Sequence, residues 1–542
     1  MRIGRTPLHT LVPRLLRAAA LLLVLGGTAA LMPSPSLAED LAIGLGAEVT
    51  SLDPHFHNLT PNRIVGHHVF DALTLPDEYK WPAPGLAVRW SPVDGVGWDF
   101  VLRRNVTFHD GTPFTAADAA ASLKRALAVQ DSPYPYAALL RTVTDAVALN
   151  DHTLRIRTSA PDPTIPAAVG QIAVIPARFA DATRADFDSG RAMVGTGPFR
   201  FAGNRGLSDL FLAANPSYWG GRPRWDRVTL RILPEAGERV AALTAGTVQI
   251  IDQVPPSDIA RLKADPQITV RGGLAMRLIY LALDLGRERS PHVTDRNGAP
   301  LARNPLKDPR VRRAISKAIN RQGTVDLLLE GLGAPAGQFL PRGVFGSSPA
   351  LKPDGYDPDG AKRLLAEAGW PDGFSLTLHA PNNRYANDAA IARTLGVALS
   401  RIGIATRVET LPAAEFFSRA ARLEFSAYMS GITTDLGETA DILLSLVATF
   451  DADRNRGRIN RMRYSNPALD DILDRAGMTL DLKARERLLR EATEMAMADA
   501  AVLPLYFEGK AWAMHRRYSY APRSDEYTLA TEVEMKRPSA AN

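Results

Sequence analysis

The sequence has no cysteine among its 542 residues. Disulfides, thiolate chemistry, cysteine-held zinc and a lipid-bearing cysteine are all excluded, so stability has to come from ordinary apolar cores. Acidic residues are missing from the first 38 positions, which carry Arg2, Arg5, Arg14 and Arg17. Without those four arginines the formal charge of +6 falls to +2. The basic balance therefore belongs to the leader and gives no footing for a nucleic-acid partner. Long apolar runs are equally scarce. The stretch "AAALLLVLGGTAALM", Ala18 to Met32, is shorter than the ~20 residues a membrane span needs and is broken by Gly26-Gly27. With arginines before it and Leu37-Ala38 ahead of Glu39, it reads as a signal peptide cleaved after Ala38, a membrane anchor being the alternative. The mature chain is then expected free in the periplasm. Also lacking are a Gly-x-Ser-x-Gly elbow, a His-Glu-x-x-His helix and a phosphate loop, which argues against an enzyme.

What is present is globular: 46% hydrophobic and 23% charged residues, in a chain long enough for two or three domains. Short β-type runs such as "WDFVLR", "RVTLRIL", "LIYLALDL", "SLTLHA" and "ATRVETL" alternate with helical patterns, which predicts an α/β fold. In "KDPRVRRAISKAINR" Asp308 caps a helix, Pro309 takes its first turn, and the arginines read as a solvated face. In "YDPDGAKRLLAEAGW" Asp357 does the same, with Gly369 as the left-handed stop. The stretch "VTFHDGTPFTAADAAASLKRAL" sets His109 and Asp110 just before a helix, as a site might. Its order of strand, Asp110-Gly111 turn, Thr115 cap and Asp118 three residues on reads as architecture.

That same stretch, taken with "SLDPH" at Ser51, "GTGPFRF" at Gly195, "NPSYWGGRPRWDRVTLRIL" at Asn215, "DPRVRRAISKAIN" at Asp308 and "YDPDGAKRLLAEAGWPDGF" at Tyr356, resembles the solute-binding proteins of peptide and nickel ABC importers, solute-binding family 5. The resemblance covers essentially the whole mature chain. It implies a two-lobed periplasmic binding protein of the large peptide-binding type, with an extra subdomain in lobe one, that closes on its solute by hinge motion. Lobe one would comprise 39–275 and 500–542, with a subdomain inserted at about 76–190, and lobe two 276–499. "RLIYLALDL", from Arg277, would be the strand crossing between them. The implied partners are a peptide-like or other small polar solute and an ABC permease with its ATPase. No cofactor is expected, and a monomer is.

The resemblance also suggests site residues. Characterised peptide binders have a Gly-Trp-x-x-Asp segment whose aspartate pairs with the ligand's amino terminus. Here "SGITTDLG" keeps Gly431 and Asp435 but has Ile432 for the tryptophan, so Asp435, with Thr433 and Thr434 beside it, is the candidate anchor; a local turn role is the alternative. Arg384 and Tyr385 precede a helix that begins near Asn387 and are further candidates, while Ala389 and Ala390 stand where some dipeptide binders have an arginine. His57 is a sixth candidate. Together with His55, His67 and His68 it also raises a nickel or metal-chelate reading. A hydrolase or chaperone remains the alternative from another class.

Overall fold

The computed structural model describes residues 39–77 and 79–536; the leader and its cleavage point after Ala38 lie outside the described residues. From Asp40 onward the described residues form one compact unit built on a twelve-stranded mixed sheet. At one end, Asp40–Leu45 pairs in parallel with Arg227–Ile232 and Ile250–Ile251, and Arg227–Ile232 continues into the antiparallel strands Asp209–Ala214 and Phe199–Arg205. At the other end Phe374–Pro381 lies parallel to both Ile404–Leu411 and Ala427–Thr433. Two long antiparallel strands, Ile268–Leu283 and Leu503–His515, run through the middle and belong to both ends. All five β-type runs read from the sequence are strands, and the fold is α/β as expected.

A separate four-stranded antiparallel sheet comprises Ala87–Val93, Gly97–Leu102, Thr153–Thr158 and Val143–Asn150. The helix Ala116–Ala128 buries Ala116, Ala119 and Leu123 in the same core as Phe100, Leu154 and Ile156. Thr115 N–H donates to Asp118 Oδ2 at 2.9 Å, which closes the capping box. His109 is a tie within this framework. Gly195 N–H donates to its Nδ1 (3.3 Å), and its Nε2 pairs with the Gly197 carbonyl (3.0 Å). Burial lowers its pKa to about 4, outweighing the Gly197 carbonyl that raises it, so the ring is neutral and structural.

The "GTGPF" motif has a steric origin. A Cβ on Gly195 would lie 2.0 Å from the Val69 carbonyl oxygen and 2.7 Å from Phe70 Cδ1. Gly195→Ala is therefore expected to force the backbone apart and cost about 1–3 kcal/mol or more, measured as a lowered denaturant midpoint.

The helices Pro309–Lys317 and Pro358–Glu367 start where the sequence places them, with Arg310 N–H on Asp308 Oδ1 (2.9 Å) and Gly360 N–H on Asp357 Oδ1 (2.8 Å). The expected solvated arginine face holds for the exposed Arg310 and Arg313 but not for Arg312 and Arg321. Arg312 and Arg321 are only 5% and 4% exposed. Their guanidinium groups donate to carbonyls of Leu306, Lys307, Ala500, Pro504 and Ser316, because a buried arginine can be satisfied by the carbonyls that helix and strand ends present.

A charged cleft at the crossing strands

The two long strands lose their regular register between the pairs Leu274–Gly509 and Leu278–Phe507. Ala275, Met276 and Arg277 thus face the single residue Glu508, and the bulge turns Arg277 onto it. Arg277 Nε lies 3.2 Å from Glu508 Oε2, its Nη2 donates to Glu526 Oε1 at 3.3 Å, and Lys510 Nζ lies 3.0 Å from Glu508 Oε2. Glu508 is 3% exposed, and its Oε2 meets these cations without an aligned hydrogen bond among the described residues. Although burial alone would raise its pKa, Glu526 is held below the usual range by Arg277, Lys510 and Lys80.

These groups line a cavity of about 320 Å³. Arg384 and Tyr385 line it too, from the far end of the sheet, while Leu59, Pro61, Ile64 and Trp512 form an apolar wall. Tyr385 is fixed in place: Gly431 N–H donates to its Oη at 2.8 Å, and Asp388 accepts from the Arg384 and Tyr385 N–H groups (2.9 and 3.1 Å) at the head of the helix Asp388–Arg401. A larger groove of about 860 Å³ runs past His292, Arg296 and Arg407, but it lies along one end of the sheet and lacks buried ion pairs. The smaller cavity, walled from both ends, is the better candidate site.

Asp435 and its threonines form a neighbouring loop. Thr433 is the last residue of the strand Ala427–Thr433 and pairs with Arg277. The Thr434 hydroxyl accepts from the N–H groups of Leu436, Gly437 and Glu438 (3.2, 2.9 and 3.2 Å) and donates to Asp441 Oδ2 (2.8 Å). It is thereby committed to shaping the loop. Asp435 N–H also donates to Asp441 Oδ2 (2.8 Å). The Asp435 side chain lies within electrostatic reach of Arg63 and Lys80, so the chain supplies cations of its own beside the candidate anchor. Lys80 Nζ donates to the Thr434 carbonyl (2.8 Å). Gly437, at φ +72°, lets the Tyr79–Lys80 segment approach, since a Cβ there would lie 2.5 Å from the Tyr79 carbonyl oxygen.

Asp441 is the titrating member of this loop. Burial, then Asp435 and Glu438, push its pKa up from 3.8 to about 7. A carboxyl whose folded pKa is raised stabilises the fold while protonated, and that contribution is lost as pH rises from about 4 through about 7. Asp441→Asn is expected to flatten this dependence: melting temperatures at pH 5 and pH 8 should lie closer together in the variant than in wild type.

His57 is not brought to the cavity. Its Nδ1 pairs with Thr50 Oγ1 (2.6 Å), and its ring lies 4.2 Å from Phe56. The other three histidines are engaged separately: His55 with the Ala173 carbonyl and Arg125, His67 against Tyr527, His68 between Ile64 and Ala530. Among the described residues no group of three or more His, Asp or Glu is arranged to hold a metal ion, and no helix is long and apolar enough to cross a membrane.

The cleft of paired charges thus lies between two ends of one sheet that two continuous strands join. The chain belongs to the bacterial extracellular solute-binding proteins, family 5, whose model matches residues 82–453. It is 27% identical over 451 residues to heme-binding protein A of Haemophilus influenzae, covering 78% of each chain. To di/tripeptide-binding protein 2 of Pseudomonas aeruginosa it is 27% identical over 523 residues, covering 90% of this chain and 93% of that one. The structure of HbpA2 from Haemophilus parasuis superposes with a TM-score of 0.79 at 24% identity, over 92% of this chain and all of the other, and shows the same two-lobed fold.

Proposed function

We propose that the protein is the solute-binding component of an ABC importer, exported with residues 1–38 removed, which captures a short peptide-like zwitterion in the periplasm as a monomer. It then hands that solute to a membrane permease driven by an ATPase, with no covalent step. The observation that carries this reading is the cavity of about 320 Å³, where the buried Glu508 and half-buried charges of both signs stand beside an apolar wall. Glu508 and Glu526 offer acceptors to an ammonium, and Arg277, Arg384 and Lys510 offer donors to a carboxylate. The volume is near the lower end of the ~300–1,000 Å³ usual for small-molecule sites, which favours a solute of two or three residues. The name of the di/tripeptide-binding relative agrees with this solute class.

Lobe one is assigned to 39–275 and 500–542, with a subdomain at about 76–190, and lobe two to 276–499. In support, Ile268–Leu283 straddles the first boundary, Leu503–His515 begins just past the last one and pairs along its length with Ile268–Leu283, and the four-stranded sheet falls within the subdomain. The two long strands are then the hinge, and closure excludes water and strengthens the few polar contacts. Small-angle scattering should give a smaller radius of gyration with a saturating tripeptide than without; an unchanged radius, from a ligand-free sample shown to be open, would count against the hinge.

A further inference from the structure

Two buried cations face the loop that carries Asp435, and the chain balances them incompletely. Arg63, in the helix Thr60–Val69, is 8% exposed. It donates through Nη1 to the neutral Gln171 Oε1, packs its guanidinium 5.6 Å from the centre of the Tyr527 ring, and leaves Nε buried with no partner. Lys80 is 7% exposed and spends its hydrogen bond on a neutral carbonyl. Among the described residues neither cation has a carboxylate within ion-pair distance.

The nearby carboxylates are mostly committed. Asp525 is gripped by Arg523 at 2.5–3.1 Å, Glu438 by Arg485 at 2.5 Å, and Glu526 by Arg277. Of the carboxylates that act on the two cations, Asp435 is the one with no ion pair of its own among the described residues. A buried charge without a counter-ion at ion-pair distance is costly, and neither of these two has one. Burial, with Arg63 next, lowers the Lys80 pKa, as an uncompensated positive site requires.

We infer that Arg63 and Lys80, next to the cleft residues Ile64 and Glu526, receive a carboxylate of the solute, so that the site prefers peptides bearing an acidic group there over neutral isosteres. This rests on the peptide reading above. The carboxylate can come from an acidic side chain or from the peptide's own C-terminus, and both sources are separable.

The test is calorimetric titration of the mature protein with three probes: the tripeptide Glu-Ala-Gly, its isostere Gln-Ala-Gly, and Glu-Ala-Gly amide. Wild type should bind Glu-Ala-Gly about tenfold or more tightly than one of the two neutralised probes, and that probe identifies the source. Lys80→Gln and Arg63→Gln should each erase most of this preference while leaving affinity for the neutralised probe within about threefold, the non-additivity of a shared contact. Should Arg63→Gln fail to fold, Lys80→Gln decides alone. Equal affinity of wild type for all three probes, or a preference that survives in the folded variants, overturns the inference and leaves the peptide reading standing. Binding of none of the three overturns the peptide reading and the inference together.

Discussion

Arg485→Met is expected to be among the most destabilising single substitutions in the chain, at about 3–5 kcal/mol, because it strands a buried carboxylate. Arg485 is 1% exposed and Glu438 4%; they form a two-pronged ion pair at 2.5 Å, and Arg485 Nε also donates to the Ala476 carbonyl (3.2 Å). The pair does more than hold the core. Glu438 ends the loop that starts at Thr434, and Arg485 also packs 5.6 Å from the Phe345 ring, which in turn meets Trp81 at 4.7 Å. Losing the arginine should therefore loosen the Asp435 loop as well as lower the denaturant midpoint. The double change Arg485→Met with Glu438→Gln should recover part of the loss, since the charge left behind is the larger cost. A single variant as stable as wild type would show that the pair is not desolvated.

Glu508→Gln carries the largest expected effect on binding. Its carboxylate sits between Arg277 and Lys510 and retains an oxygen without an aligned hydrogen bond. Removing the charge takes away a charge-assisted contact to a solute ammonium worth about 1.5–3 kcal/mol, or roughly ten- to a hundred-fold in affinity for a zwitterionic tripeptide. The fold should tolerate the change better than it tolerates Arg485→Met, because Glu526 remains as a counter-ion for Arg277. Titration of both proteins with the same tripeptide gives the answer. Unchanged affinity would remove Glu508 from the site.

Much of the frame was legible because it is local. Thr115 with Asp118, Asp308 with Pro309, and Asp357 ahead of Gly360 each announce a helix start within a few residues of sequence, and each forms as read. Arg384 and Tyr385 stand out for the same reason, just before a recognisable helix, and the structure places both along the cavity. The rest of the site depends on pairs far apart in the chain. Arg63 and Asp435 are brought together from opposite ends of the sequence, and neither has a local pattern that points to the other. The bulge that turns Arg277 onto Glu508 is a property of strand pairing and leaves no mark in a single strand. One signal was available: "LPLYFEGKAWAM" places Glu508 and Lys510 inside an otherwise apolar strand, where a charge needs a partner or a ligand. In "DPRVRRAISKAINR" Arg310 and Arg313 are exposed as their type suggests, whereas Arg312 and Arg321 are buried on carbonyls supplied by distant segments, which no local pattern announces.

The central claim is that the solute binds in the cavity at the crossing strands and not in the larger groove beside His292, Arg296 and Arg407. A crystal structure of the mature protein grown with the tripeptide Glu-Ala-Gly tests this most directly. The account predicts peptide density enclosed by Arg277, Tyr385, Glu508 and Glu526, with the ammonium on the glutamates. Peptide found only in the outer groove, or a cavity that stays free of peptide in crystals grown at saturating concentration, would contradict it.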